Sequence, residues 1–389
     1  MNTPVPFLWL CGPSGVGKST VGYEIHRQLA RAGTATAYVD ADQLGLCYPA
    51  SADDPDNHRI KARNLGVVWA AFRAAGVDSM VLSGGINSAR LVRTYVDQVP
   101  SAAVTVCRLR AGHDTLTERF VRRGWMPQLV DAAVAEANEL DRLDFVDLCV
   151  DTDGLSVPDV ARLVRNRADG WPAPGSSVTS AAPPCDVPAA AHAPASASDD
   201  PVPVLFLCGA TAVGKSTVGY DLFTRIQAQA KAAYVDLAQV GFCGPAPVDD
   251  PANHRLRAAN LAGLWPTFRD AGARCLVVTG RVEDAATLRA YAAAFPAMTL
   301  TVCRLHAGRE TLTDRVLSRG RGEGPALVDD ELRGQSPDRL RPVAEQAVRD
   351  ADDLHRARLG DLWVDTDGCS VEDVSRRVLA MTAGWPHLT

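Results

Sequence analysis

The stretch that decides the fold is Gly12-Pro-Ser-Gly-Val-Gly-Lys-Ser19, and it returns as Gly209-Ala-Thr-Ala-Val-Gly-Lys-Ser216. Both copies fit the pattern G-x-x-x-x-G-K-[ST], and each stands between an apolar run and a segment with helical periodicity. A glycine-rich loop in that position turns its backbone N–H groups and the positive end of the following helix toward phosphate. The pattern therefore predicts a nucleotide site in each half of the chain.

The residues of each loop have separable predicted roles. Lys18 and Lys215 reach the terminal phosphates of ATP, and the hydroxyls of Ser19 and Ser216 hold Mg²⁺. A glycine-rich turn with an incidental lysine would explain one match, but two matches at equivalent places argue against it. The residues expected to bind the nucleotide are Gly12, Ser14, Gly15, Gly17, Lys18, Ser19 and Thr20 in the first copy and Gly209, Thr211, Gly214, Lys215, Ser216 and Thr217 in the second.

The repeat extends over nearly the whole chain. Tyr38-Val-Asp40, for example, returns as Tyr234-Val-Asp236. The stretch between the copies is rich in Ala, Pro and Ser, so it cannot bury enough apolar surface to offset its ordering entropy. We therefore predict one domain over residues 1–172, a second over 202–389, and a flexible linker over 173–201 that lets them pack together or stay apart.

Composition and charge exclude several function classes. The net charge is −6 and the chain has no basic run, which disfavours nucleic acid as the main partner. No apolar stretch is long enough to span a membrane, and the N-terminus lacks a signal pattern. The ten cysteines form no C-x-x-C pair, which disfavours zinc and a disulfide framework. We expect a cytoplasmic protein with no nucleic-acid or membrane partner.

Apolar runs alternate with amphipathic segments in both copies. This alternation predicts an α/β fold in which a five-stranded parallel sheet is covered by helices on both faces. Ligands in such sheets lie beyond the carboxyl ends of the strands, so the residues after each strand are the candidates for a site. The strands predicted in the first copy are Phe7–Cys11, Ala35–Asp40, Ser79–Ser83, Ala103–Cys107 and Asp147–Asp151.

Carboxylates follow the second predicted strand. Asp40 and Asp42 stand there in the first copy, whereas Asp236 and Ala238 stand there in the second. An aspartate at this place can hold Mg²⁺, directly or through water, or accept a proton from a substrate hydroxyl. It can also simply cap the next helix. The change from Asp42 to Ala238 predicts that the two copies differ in activity.

Two arginines follow the fourth predicted strand of each copy. Arg119 and Arg123 are four residues apart, as are Arg315 and Arg319, so each pair lies on one helical face. Arginines that converge on a transferring phosphoryl group stabilise its charge. A solvated basic face explains the same pattern, and its recurrence does not separate the two interpretations.

Each copy resembles a small P-loop kinase of the nucleoside-monophosphate-kinase superfamily, near the adenylylsulfate kinases, gluconate kinases and chloramphenicol phosphotransferase-like proteins. The loop, the strand-two aspartate and the arginine helix carry the resemblance, which implies a P-loop NTPase domain with a mobile lid. It also implies transfer of the γ-phosphoryl group of ATP to a hydroxyl or phosphate of a small metabolite. The chain lacks the strand-three Ile-Ser-Pro signature of adenylylsulfate kinases, so the acceptor stays open. The residues assigned to catalysis are Lys18, Asp40, Asp42, Arg119 and Arg123, with Lys215, Asp236, Arg315 and Arg319 in the second copy; Ser19, Asp40, Ser216 and Asp236 are assigned to the metal.

Two further function classes stay open. One is a nucleotide-sensing or scaffolding protein that binds ATP and transfers nothing, and the other is an antibiotic-modifying or toxin-like kinase. The second copy also has Arg281 in place of Gly85 and a longer lid region. We therefore expect the first copy to be the better catalyst and the second to prefer a more anionic acceptor or to act as a regulatory nucleotide site.

Overall fold

The computed structural model describes residues 4–123, 129–172, 201–324, 328–382 and 385–386, excepting the side chains of Arg122 and Arg123. They form two compact units. Unit 1 contains the first repeat without Leu46–Asn57, and it also contains Val240–Leu256 of the second repeat. Unit 2 contains the second repeat without Val240–Leu256, and it also contains Leu46–Asn57 of the first repeat. The predicted linker, apart from Pro201, lies outside the described residues.

Strands and helices alternate along the chain, as the apolar pattern indicated. The strands are β1 (Val5–Cys11), β2 (Thr36–Asp40), β3 (Cys47–Tyr48), β4 (Ser79–Ser83), β5 (Ala102–Arg110), β6 (Leu148–Asp151), β7 (Val202–Cys208), β8 (Ala232–Asp236), β9 (Phe242–Gly244), β10 (Cys275–Thr279), β11 (Met298–His306) and β12 (Leu362–Asp365). The helices are α1 (Lys18–Arg31), α2 (His58–Ala74), α3 (Ala89–Val96), α4 (His113–Arg123), α5 (Val130–Leu140), α6 (Val157–Arg167), α7 (Lys215–Gln227), α8 (His254–Asp270), α9 (Ala285–Ala294), α10 (Arg309–Gly320), α11 (Pro337–Arg356) and α12 (Val371–Met381).

Each unit is built on one six-stranded sheet. The order is β6-β5-β1-β4-β2-β9 in unit 1 and β12-β11-β7-β10-β8-β3 in unit 2. Five strands of each sheet are parallel, which confirms the predicted fold class. The predicted strand count was too low, because β9 pairs antiparallel with the edge strand β2 and β3 pairs antiparallel with β8.

The sixth strand of each sheet comes from the other repeat. The predicted contiguous domains therefore differ from the compact units by two exchanged segments, Leu46–Asn57 and Val240–Leu256. The physical reason is that an edge strand offers unpaired N–H and C=O groups that any extended segment can satisfy. The prediction assumed that each repeat supplies its whole sheet.

The core of unit 1 lies on both faces of its central strand β1. Phe7, Leu8, Trp9 and Leu10 are all buried, as expected for a strand covered on both sides. Alternate side chains point to opposite faces, and the Trp9 ring packs on Tyr95 of α3 with ring centroids 4.9 Å apart. This apolar strand holds the loop that follows it in a fixed place.

An aromatic cluster fixes the exchanged segment in unit 1. Phe242 of β9 lies opposite Tyr38 of β2 in the strand register. Its ring centroid is 5.8 Å from that of Tyr38 and 5.1 Å from that of Tyr23 on α1. The buried imidazole of His26 lies 5.9 Å from the Tyr23 ring. The segment is thus held by apolar contacts as well as by strand pairing.

Replacing Phe242 with Ala should loosen this edge of unit 1. Truncating a buried phenylalanine typically lowers the free energy of unfolding by about 3–5 kcal/mol. We expect faster hydrogen exchange in β2 amides, measured by mass spectrometry. Val248→Ala is the matched control, because Val248 belongs to the same segment and its side chain is 100% exposed. Equal exchange in the two variants would show that the cluster does not hold the segment.

Acid should weaken the same edge through His26. Burial lowers the pKa of His26 from 6.5 to about 4, so below pH 6.5 the unfolded chain binds a proton that the folded chain does not. Stability is therefore lost as the pH falls from 6.5 toward 4, and the expected loss at pH 5 is about 2 kcal/mol. Phe223 occupies the equivalent position in the second repeat. When the pH is lowered from 7.5 to 5, hydrogen exchange of the β2 amides, corrected for the intrinsic rate, should accelerate in the native chain. It should not accelerate in His26→Phe. Acceleration to the same extent in both proteins would contradict this assignment.

Candidate functional site

The phosphate loop of each unit joins a buried central strand to a helix. In unit 1, α1 begins at Lys18 behind Gly17, which has a left-handed φ of 103°. Gly12 has φ 133°, and a Cβ there would lie 2.4 Å from the carbonyl oxygen of Leu109 on β5. Gly209 in unit 2 is equally constrained, with the carbonyl oxygen of Leu305 at 2.5 Å. Only glycine fits at these two positions, so the loop shape depends on them.

The two loops differ at one position and compensate for it. A Cβ on Gly15 would lie 2.4 Å from the ring of Phe120 on α4. The second loop has Ala212 there, at φ 64°, and the smaller Val316 stands at the position of Phe120. Ala212 packs against the cluster that contains Val316. The paired change lets both units keep the same loop.

The loop lysines fold over their own loops. The Nζ of Lys18 donates to the carbonyl oxygens of Gly12 at 2.9 Å and Pro13 at 3.0 Å. The Nζ of Lys215 donates to Gly209 at 3.1 Å and to the next residue at 2.8 Å. Each ammonium group is therefore held against the first two residues of its own loop.

A serine–aspartate hydrogen bond ties each loop to the end of the next parallel strand along the chain, β2 in unit 1 and β8 in unit 2. The Oγ of Ser19 donates to Asp40 Oδ2 at 2.5 Å, and that of Ser216 donates to Asp236 Oδ2 at 2.6 Å. The Oγ of Ser83, at the end of β4, donates to the same oxygen of Asp40 at 3.0 Å. Burial raises the pKa of Asp40, and the charge of nearby Asp42 raises it further.

The donor set around this bond consists of oxygen atoms only. A serine hydroxyl beside a carboxylate is the hard-ligand pair that suits Mg²⁺, which completes its shell with water and substrate phosphates. Among the described residues, no group of three or more His, Cys, Asp or Glu side chains forms a separate metal site. Ser19 with Asp40 and Ser216 with Asp236 therefore fit the metal predicted from the sequence.

Asp40 also caps the short 3-10 turn Ala41–Leu44. The backbone N–H of Asp42 donates to Asp40 Oδ1 at 2.9 Å, and that of Ala238 donates to Asp236 Oδ1 at 3.0 Å. Asp40 can therefore cap this turn and bind the loop serine at the same time, because one carboxylate oxygen accepts the backbone N–H and the other accepts the serine hydroxyl.

The second carboxylate of unit 1 is held by a lysine from α2. Lys61 Nζ lies 2.7 Å from Asp42 Oδ1. Desolvation by the surrounding chain would raise the pKa of Asp42, but the Lys61 ammonium outweighs it and lowers this pKa. In unit 2 the pair is replaced by Ala238 and Arg257. The units thus share the first carboxylate and differ at the second.

The first arginine of each predicted pair braces the loop. Arg119 donates to the carbonyl oxygen of Val16 at 2.7 Å and to the Oγ1 of Thr152 at 3.0 Å. Arg315 donates to Val213 and Thr366 in the same way, at 3.0 Å each. These arginines join the loop to the turn after the last strand, a role that the sequence analysis missed. Their contact with a transferring phosphoryl group stays a prediction.

The side chain of the second arginine of each pair is described only in unit 2. The side chain of Arg123 lies outside the described residues. Arg319 forms an ion pair with Asp330 at 2.9 Å, and the Asp330 side chain is only 3% exposed. Arg319 also lines a cavity of about 320 Å³ in unit 2, together with Lys215, Ser216, Thr217, Arg315, Thr366 and Cys369. Its volume is in the range of small-molecule sites, and it opens onto the phosphate loop.

Sequence reasoning missed three further residues of unit 1. Lys61 was visible only as one basic residue of an amphipathic helix, and Ser83 only as a small residue after a strand. Glu136 of α5 accepts the backbone N–H of Ser14 at 2.9 Å, so a carboxylate of the chain contacts the loop. Nothing in a single sequence indicates this contact, because Glu136 lies far from the loop along the chain.

Comparisons with known proteins agree with the motifs. The AAA domain family matches residues 8–143. The adenylyl-sulfate kinase of Enterobacter sp. (strain 638) is 34% identical over 116 residues, which cover 29% of this chain and 51% of that protein. The first repeat is similar to P-loop kinases. The chain spans about half the length of this P-loop kinase relative.

Two solved structures are among those similar to this chain. The tunicamycin resistance protein of Deinococcus radiodurans is 24% identical, covers 42% of this chain and 95% of its own, and has a TM-score of 0.35. The APS kinase of Mycobacterium tuberculosis, solved with AMPPNP and APS, is 20% identical, covers 43% and 99%, and has a TM-score of 0.32. Within the described ranges, no helix combines the length and the apolar character needed to cross a bilayer.

Proposed function

We propose that the chain is an ATP-dependent phosphotransferase that moves the γ-phosphoryl group of ATP to a hydroxyl or phosphate of a small metabolite. The observation that carries the proposal is the serine–aspartate bond, at 2.5 Å in unit 1 and 2.6 Å in unit 2. It brings a metal-binding hydroxyl of the phosphate loop against a carboxylate at the end of the next strand. The similarity of the first repeat to an adenylyl-sulfate kinase supports the same reaction class.

Nucleotide binding in unit 1 is assigned to the loop. Its backbone amides and the Lys18 ammonium hold the β- and γ-phosphates. Ser19 and Asp40 would hold Mg²⁺, which neutralises charge on the phosphates when bound. Arg119 keeps the loop in place through its bonds to Val16 and Thr152. The loop is thus organised by the chain before a nucleotide arrives.

Acceptor activation in unit 1 is assigned to Asp42. The two oxygens of Asp40 already accept hydrogen bonds from Ser19, Ser83 and the backbone of Asp42. The Asp42 side chain is 64% exposed and its position is fixed by Lys61. The acceptor oxygen attacks the γ-phosphorus while the bond to the β,γ-bridging oxygen breaks. The acceptor proton passes to Asp42, and ADP leaves.

Unit 2 supports a second candidate function, nucleotide binding without transfer to the same acceptor. The specific observation is Ala238, which removes the carboxylate assigned to acceptor activation, while Lys215, Ser216 and Asp236 keep the arrangement of unit 1. A regulatory or sensing role needs only that arrangement.

Asp42→Ala should lower acceptor-dependent turnover of unit 1 by about 10²–10⁴-fold, because a positioned general base contributes in this range. The affinity for ATP should change little, since the Lys18 ammonium is held by the carbonyl oxygens of Gly12 and Pro13. The measurement is acceptor-stimulated ADP release by the full chain with Lys215→Ala, screened over hydroxyl-bearing metabolites. Asp144→Ala is the control, because Asp144 is an exposed aspartate in the turn after α5. Full activity in Asp42→Ala would remove this residue from the mechanism.

A further inference from the structure

The second repeat carries arginines at three positions that correspond to site-region positions of the first repeat. Arg257, Arg281 and Arg319 stand at the positions of Lys61, Gly85 and Arg123 in the first repeat. In unit 1 the charge of Lys61 is balanced by Asp42, but unit 2 has Ala238 there. The Nε of Arg257 is buried and has no hydrogen-bond partner among the described residues. At these equivalent positions the second repeat gains one cation, Arg281 for Gly85, and loses one carboxylate, Ala238 for Asp42.

Carboxylates of the chain itself neutralise two of these arginines. Arg281 forms an ion pair with Asp350 of α11 at 3.2 Å. Arg319 forms one with Asp330 at 2.9 Å, and its Nε also donates to the same carboxylate at 3.2 Å. Burial lowers the pKa of Lys215 to about 8, and the charges of Arg281 and Arg319 contribute to the shift. Arg319 lines the same cavity as Lys215.

A third carboxylate lies beside the strand-two aspartate. Asp329 Oδ1 accepts a hydrogen bond from Gln239 Nε2 at 3.3 Å, and Gln239 directly follows Ala238. Burial raises the pKa of Asp329, and the negative charge of Asp236 raises it further. The hydrogen bond to Gln239 therefore places Asp329 next to the turn that carries Ala238, the counterpart of Asp42.

Apolar and backbone contacts hold Asp329 and Asp330 in place. Asp329 and Asp330 belong to segment 328–335, here called the acidic latch, which lies between helices α10 and α11 along the chain. Leu332 of the latch packs against the cluster of Val316, Leu340 and Ala344. The backbone N–H of Gly334 donates to the carbonyl oxygen of Gly320 at 2.8 Å. The latch is thus anchored on α10 and α11, while Asp329 contacts Gln239 and Asp330 contacts Arg319.

We propose that the acidic latch is an internal occupant of the acceptor side of unit 2, where Asp329 and Asp330 stand in for the anionic group of a ligand. The proposal rests on the proposed function, which defines that side. Unit 2 then binds nucleotide with the latch in place, and transfer requires an anionic ligand that displaces Asp330 from Arg319. The same displacement releases Arg319 toward the terminal phosphate, since Arg319 lines the nucleotide cavity.

Asp330→Asn tests the latch in the full chain carrying Lys18→Ala, which restricts nucleotide binding to unit 2. Freeing Arg319 should raise the affinity for AMPPNP·Mg²⁺ about tenfold, as a charge-assisted hydrogen bond allows, and change ADP affinity much less. Asp338→Asn is the control, because Asp338 lies on α11 with its side chain 90% exposed. Unchanged AMPPNP affinity in Asp330→Asn overturns the latch. A Lys18→Ala chain that binds no nucleotide contradicts the proposed function for unit 2, and the latch with it.

Orthophosphate serves as the probe for the anionic ligand, titrated into the same chain saturated with AMPPNP·Mg²⁺. Asp330→Asn and Asp329→Asn should each bind orthophosphate more tightly than the parent chain, and adding Arg257→Gln should remove the gain. Lys61→Gln, at the matching position of unit 1, should leave the gain in place. Asp329 forms no ion pair among the described residues. The variant Asp329→Asn can therefore test the latch even if Asp330→Asn unfolds. Weaker or equal orthophosphate binding in Asp329→Asn overturns the proposal.

Discussion

The hydrogen bond between the loop serine and the strand-two aspartate is the constraint on which the rest of the structure depends. Ser19 is fixed by the start of α1, and Asp40 is fixed by the end of β2. Gly12 lets the loop that leads to Ser19 pass within contact distance of β5. Unit 2 reproduces the bond with Ser216 and Asp236. The apolar strands and glycine positions of both units serve to hold this one contact.

The two units share this contact and diverge around it. In unit 1 a carboxylate–ammonium pair, Asp42 with Lys61, lies at the open side of the site. In unit 2 that pair is gone, and arginines and lid carboxylates take its place. A duplicated chain can keep nucleotide binding in both copies while the acceptor chemistry of one copy changes. We therefore propose that unit 1 carries out the transfer and that unit 2 has a conditional or regulatory role.

The sequence predicts the parts of the site that depend on local pattern. The loops, the strand β4 at Ser79–Ser83 and the parallel sheets follow from motif and apolar periodicity. The edge strands β3 and β9 do not, because each has two or three residues and its partner is remote in sequence. The bracing role of Arg119 and the contact of Asp330 with Arg319 also depend on tertiary contacts. A single sequence shows which charges exist, but it does not show which of them meet.

The central claim is that each unit holds its own ATP·Mg²⁺ site, built on the loop and the serine–aspartate bond. Titration calorimetry of the full chain with AMPPNP and Mg²⁺ tests it most directly. The account predicts two sites per chain, one remaining site after either Lys18→Ala or Lys215→Ala, and none after both substitutions. A wild-type chain with a single site that survives Lys215→Ala would contradict the account.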